Sequence, residues 1–233
     1  MVFWRSGGSD GDEDPAAARQ KMVERQLALR GIHEPVVLEA MRTVPREEFL
    51  PEERRGLAYY DGALPIGLGQ TISQPYMVAV MTQLLVTPRV ASGAKIGLAL
   101  EVGGGSGYQA AVLSVLSEQV ITIERVPELA QRAQETLRRL GYDNVEVVTG
   151  DGTMGLAERA PFNAILVAAA APHVPTPLKE QLAPGGRLVV PVGSRGLQVL
   201  TTVRRTATGF HEEQSTQCVF VPLIGEEGWQ DEW

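Results

Sequence analysis

One cysteine, Cys218, is all the chain has, so an internal disulfide framework is impossible and a reducing compartment is expected. Cys218 itself sits in a strand-like run and reads as a small packed residue. The three histidines, His33, His173 and His211, are widely separated and join no cysteine pair. That leaves no metal-ligand spacing, and no metal site is expected. Basic charge is in the minority, with 21 Lys and Arg against 28 Asp and Glu, for a net charge of −7. A general nucleic-acid-binding surface is therefore not expected. No stretch approaches the roughly 18 apolar residues a membrane helix requires, so no membrane partner is expected either. The opening MVFWRSGGSDGDEDP has one Arg, no sustained apolar core, and then acids. It is read as neither a signal nor a transit peptide but as an unstructured leader over residues 1–14. These exclusions leave a cytoplasmic protein, expected to be a monomer. Its 233 residues, 44% hydrophobic and 21% charged, suffice for one large domain with an appendage.

The apolar spacing then orders the chain. Pro15 to Leu29 is expected to be helical until Gly31 stops it, and Pro35 opens a second helix with Val37, Leu38 and Met41 on its apolar face. Residues 49–75 are rich in Gly and Pro and are expected to be loop or short elements. A third helix spans Tyr76 to Leu85. From there strands alternate with helices. IGLALEV (96–102), VITIE (120–124), VEVVTG (145–150), AILVAAA (164–170) and GRLVVPV (186–192) read as strands. Gln109 to Leu116, residues 128–140 after Pro127, and Pro177 to Leu182 read as the intervening helices. Near-continuously apolar strands in this alternation predict an α/β fold, a doubly wound, mostly parallel sheet covered on both faces. Residues 197–204 and 216–223, joined by a polar turn containing Gly209, are expected to add an antiparallel hairpin at the edge.

The first parallel strand runs into EVGGGSGYQ (101–109), which opens a helix. In doubly wound folds this is where a nucleotide-like ligand sits, on bare backbone. The dinucleotide fingerprint G-x-G-x-x-G fails, because Tyr108 stands where its third glycine belongs. Gly103, Gly105 and Gly107 instead follow Glu101 as E-x-G-x-G-x-G. An acid there opposes a pyrophosphate but suits a ligand carrying an ammonium and a sulfonium. This pattern resembles S-adenosylmethionine-dependent methyltransferases, with their Rossmann-like core. Glu124, followed by Arg125, ends the second strand, where an acid can accept from ribose hydroxyls. Asp151-Gly152 ends the third, where methyltransferases of this kind bind the adenine edge.

A second motif is more specific. LPIGLGQTISQPY (64–76) has no helical or strand periodicity, and it closely resembles the G-x-G-Q-T-I-S-x-P loop of protein-L-isoaspartate O-methyltransferases. Further matching stretches include RQKMVERQLALRGI (19–32), VLEAMRTVPREEFLP (37–51), GDGTMGLAERAPFNAILVAAAAPHVP (150–175) and VFVPLIGEEGW (219–229). The resemblance implies S-adenosyl-L-methionine as cofactor and isoaspartyl-containing proteins and peptides as substrates. The chain is thus expected to divide into the leader, N-terminal helices with a substrate loop over 15–90, and a cofactor-binding core with the C-terminal strands over 91–233. The resemblance also implies Ser73 as the active-site serine. Thr71, Ile72, Gln74, Pro75, Val221, Pro222 and Leu223 are the implied substrate wall. Three positions depart from the family pattern: Leu68 where histidine is frequent, Gly104 for threonine or serine, and Asn163 for aspartate.

The implied chemistry fits the residues supplied. A substrate carboxylate is already ionised at neutral pH and needs no general base. Catalysis then rests on alignment, which explains why no nucleophilic triad and no carboxylate pair are required. Ser73 and Thr71 are short donors suited to orient that carboxylate, and Ser73 before Gln74-Pro75 is also a good helix N-cap. The rival readings are methylation of an aspartate in a dedicated peptide, a non-enzymatic binding protein on the same scaffold, and nucleic-acid methylation. The last would want a basic face and an N-P-P-Y motif or catalytic cysteine.

Overall fold

The computed structural model describes residues 14–230 of the chain. The expected leader lies outside them, save Asp14. That residue is already structured: its carboxylate accepts the Ala16 amide at 3.2 Å and closes the start of α1 (Pro15–Met22). The helical track then differs from a plain α-helix. It widens into a π turn at Val23–Leu27 and tightens at Ala28–Arg30, ending at Gly31. Both Val23 and Leu27 are fully buried, so the irregular turns keep the apolar stripe on the core. Helix α2 (Pro35–Thr43) buries Val37, Ala40 and Met41. Two 3-10 turns, Arg46–Phe49 and Glu52–Leu57, follow. The loop motif is a small antiparallel hairpin, β1 (Leu64–Gly67) against β2 (Gln70–Ile72), leading into α3 (Pro75–Leu85) and the short α4 (Pro88–Ala91).

The core sheet has seven strands. These are β3 (Ile96–Val102), β4 (Ser117–Glu124), β5 (Val145–Thr149), β6 (Phe162–Val167), β7 (Leu182–Gly193), β8 (Gln198–Thr206) and β9 (Gly209–Cys218). Their spatial order is β5-β4-β3-β6-β7-β8-β9, parallel through β7 and antiparallel for the last two. Successive side chains of β3 divide between two apolar clusters: Ala99 packs on one face, Leu100 and Val102 on the other. Helices α5 (Tyr108–Leu116) and α6 (Pro127–Arg139) cover the first face together with the N-terminal helices. Helix α6 does so with Leu129, Ala130, Ala133 and Leu137 at helical spacing. Helix α7 (Thr176–Glu180) covers the second face through Leu178. Among the described residues, no helix is long and apolar enough to cross a membrane, and no cluster of His, Cys, Asp and Glu could hold a metal ion.

The C-terminal strands depart from the expected boundaries. Of residues 216–223, only 216–218 belong to the last strand. Strand β9 begins at Gly209 and is exposed along all but its final residue, Cys218. An edge strand this polar has no period-2 signal to read. The apolar residues 220–224 instead leave the sheet as a strap. The Leu223 amide donates to the Ala170 carbonyl at 2.7 Å, and the Ala170 amide to the Val221 carbonyl at 2.8 Å. The strap therefore crosses the chain just beyond the carboxyl end of β6.

Candidate active site

Strand order reverses between β3 and β6, and in a doubly wound sheet the crevice opens at the carboxyl ends of those two strands. A cleft lies there. Its floor is the glycine turn after β3, one wall is β2 and Ser73, and the other is the strap with Ala168-Ala169 after β6. The Ile123 carbonyl accepts the amides of Gly103 and Gly104 at 2.8 and 3.1 Å, which pins the turn to β4.

Glu101 is fully buried. Its Oε2 accepts the Thr122 hydroxyl at 2.6 Å, while Oε1 has no partner. Burial pushes this carboxyl up to about 8, opposed by the Thr122 hydrogen bond and assisted by the Glu124 carboxylate. A buried acceptor without a donor, at the edge of a cleft, is suited to a cationic group. Glu124 is different. Its Oε2 accepts the Gly105 amide and its Oε1 the Val126 amide, both at 2.8 Å. Each carboxylate oxygen keeps further acceptor capacity for hydroxyl donors. The residues present thus fit S-adenosylmethionine: an acceptor for its ammonium, a fixed acid for its ribose, and bare backbone between them.

The structure brings most of the sequence-predicted site together. Thr71, Ile72, Ser73, Glu101, Gly103, Gly105, Glu124, Arg125, Gly152, Val221, Pro222 and Leu223 all line the one cleft. Four predicted residues do not. Gly107 (φ 86°) starts α5, and a Cβ there would meet Leu137 and Ala133 at 3.2–3.3 Å, so it is a packing glycine against α6. Asp151 turns away: it accepts the Thr153 amide at 2.8 Å and the Glu226 amide at 2.9 Å. Burial opposes its ionisation, but those two amides and the Thr153 side chain hold its carboxyl below the usual range. Gln74 and Pro75 lie behind the wall, at the start of α3. Ser73 is not the cap of that helix: Gln74 holds the N-cap position and no side chain caps it.

Several lining residues have no site role that the sequence signals. Ala168, Ala169, Val126, Gly150, Tyr108 and Gln109 reach the cleft because they follow strand ends or start α5. The switch-point rule could have found Ala168-Ala169, since it names the end of β6 as well as β3. Gly104, one of the departures, faces Thr122, whose hydroxyl occupies the space a side chain would need. Leu68 sits at the hairpin tip with φ 53° and its side chain half exposed.

The family model for protein-L-isoaspartate(D-aspartate) O-methyltransferase matches residues 17–228. A protein-L-isoaspartate O-methyltransferase of Methanospirillum hungatei is 52% identical over 221 residues, covering 95% of this chain and all of that one. One from Pelotomaculum thermopropionicum is 49% identical over the full length of both. Among solved structures, a protein-L-isoaspartate O-methyltransferase aligns over 90% of this chain and 66% of its own longer chain, with TM-score 0.76 and 28% identity. A Plasmodium falciparum structure named for the same activity, in complex with S-adenosyl-L-homocysteine, aligns with TM-score 0.74 and 27% identity over 88% of this chain and 98% of that one. By sequence and fold, the chain belongs to the protein-L-isoaspartate(D-aspartate) O-methyltransferase family.

Proposed function

We propose that this chain methylates the α-carboxylate of L-isoaspartyl residues in proteins and peptides, the step that starts their return to aspartate through a succinimide. The observation that carries the reading is a single cleft in which the Glu101–Glu124 cofactor wall faces the Ser73 loop. When bound, S-adenosylmethionine supplies a methyl carbon made electrophilic by its sulfonium. The unpartnered Glu101 Oε1 would hold the ammonium, Glu124 the ribose, and Gly152 with Val126 would flank the adenine. The substrate carboxylate is ionised, so the chain's own task is to place one oxygen about 3 Å from the methyl carbon, in line with the sulfur. Ser73 and Thr71 are donors on the right wall for this, and Val221–Leu223 closes the opposite side. The apolar side chains of the strap add low-polarity surface to the cleft, which favours a reaction in which opposite charges are neutralised. The test uses labelled S-adenosylmethionine with two peptides differing only in an L-isoaspartyl or L-aspartyl linkage. Base-labile incorporation confined to the isoaspartyl peptide is the expected result, and incorporation on neither or both would overturn the reading.

A further inference from the structure

The Ser73 loop is held from outside the cleft by groups the chemistry above does not use. Asp61 precedes β1, and its Oδ1 accepts from Gln74 Nε2 at 2.7 Å, while its backbone oxygen accepts from the same amide at 3.2 Å. Arg30 Nη1 donates to both Asp61 carboxylate oxygens, at 3.0 and 2.9 Å. The Arg30 guanidinium also lies over the Tyr76 ring, 3.9 Å from its centroid, and the Tyr76 hydroxyl donates to the Arg30 carbonyl at 3.3 Å. Residues 74 and 76 are thus both tied to the Arg30–Asp61 pair, and Pro75 between them fixes one more backbone angle.

Two features separate this arrangement from ordinary surface pairing. Gln74 occupies the N-cap position of α3 yet makes no capping bond, because its side chain is turned to Asp61. The ion pair is also 39% and 43% exposed, a setting in which such pairs contribute little to global stability. Its consequence is local: it fixes the residue next to Ser73, which stands on the cleft wall. We propose that Asp61, itself oriented by Arg30, is a positioning residue that fixes Gln74 and thereby the setting of Ser73 toward the substrate carboxylate. This rests on the reading of the Ser73 loop as the substrate wall.

The experiment exchanges donor and acceptor. Gln74→Glu sets two carboxylates against each other and Asp61→Ala removes the acceptor, so each breaks the side-chain bond; the double variant Gln74→Glu with Asp61→Asn restores it with reversed polarity at unchanged net charge. Each single variant is expected to lower kcat on an isoaspartyl peptide about tenfold, because alignment and not chemistry is disturbed. S-adenosylhomocysteine affinity stays within about twofold of wild type in the same variants. Amide hydrogen exchange over residues 70–74 speeds up while β3 keeps its protection. The double variant recovers both readouts to within about threefold of wild type. Unchanged kcat and exchange in the single variants would overturn the proposal. So would a double variant that recovers nothing over Gln74→Glu, or a parallel fall of melting temperature and cofactor affinity, which marks a merely structural role. If the wild-type chain does not methylate the peptide but the exchange pattern and its rescue appear, the substrate reading falls and the positioning of the loop stands.

Discussion

At the scale of single residues, the buried carboxyl of Glu101 links function to pH. Burial raises it to about 8, so in the ligand-free protein it is protonated at neutral pH. A cationic ligand group needs it ionised. Affinity for S-adenosylmethionine should therefore rise from pH 6 toward 8, by up to about tenfold per unit, and turn over above, where the ligand's own α-ammonium loses its proton. Calorimetry across that range checks this, and Glu101→Gln should weaken binding and flatten the profile. The sign for stability is opposite. The folded chain holds this proton more tightly than the unfolded chain, so ligand-free stability falls as pH rises from the ordinary carboxylate range through about 8. Glu101→Gln should accordingly melt a few degrees higher than wild type at pH 8.5, in the absence of cofactor, by relieving a buried charge with an unpaired oxygen. A variant that binds the cofactor worse yet melts higher would mark Glu101 as strained for its task.

Leu68 is a residue-scale strain of another kind. A γ-branched side chain with φ 53° is costly, and its half-exposed position gives little burial in return. Leu68→Asn should raise stability by about 0.5–1 kcal/mol, read from denaturant unfolding. Loss of peptide turnover in that stabilised variant would mean the leucine serves the substrate side of the hairpin.

Elements decide how the site closes. The strap is fastened at Asp151, whose Oδ2 accepts the Glu226 amide, and by Thr153 Oγ1, which accepts the Glu227 amide at 3.1 Å. Gly225 passes so close to the Asp151 carboxylate that a Cβ would strike it. Gly225→Ala should therefore lift the strap and raise KM for the peptide about tenfold, with a smaller effect on cofactor affinity. Equal losses of both would show that the strap serves the cofactor instead. The same element shows where sequence reading stops. Strand β3 and helices α5 and α6 are legible because both faces of a parallel strand are apolar, α5 is a mostly apolar run buried nearly all round, and α6 carries a complete stripe. Strand β9 is not, since its residues from 209 to 217 are all exposed. FVPLI looks like a strand by composition, yet it crosses the sheet end. In the site, Glu101 and Ser73 are legible as motif positions. The roles of Gly107, Asp151 and Gln74 are not, because each is fixed by a partner distant in sequence: Leu137, Glu226 and Asp61.

The whole molecule binds these parts into one unit. Met22, Val23, Leu27, Val37 and Met41 from the N-terminal helices share an apolar cluster with Ala110–Leu113 of α5 and with Ala99 and Val120 of the sheet. Arg187 on β7 donates to the carbonyls of Leu84 and Val86 at 3.0 and 2.7 Å, tying the end of α3 to the core. Fully burying a large aliphatic side chain is worth about 1.5–3 kcal/mol, and a domain's net stability is only about 5–15 kcal/mol. Removing residues 15–90 would uncover several such side chains at once. The N-terminal part and the core are therefore expected to unfold together, and residues 91–233 alone should not reach a native state. The cleft takes walls from both parts, so S-adenosylhomocysteine at about 100 times its Kd should stabilise that single transition by about 2.7 kcal/mol. Near-UV circular dichroism and calorimetry on the full chain and on residues 91–233 decide it. Two transitions in the full chain, of which the ligand shifts only one, or a cooperative melt of the shorter chain, would show that the core stands without its N-terminal cover.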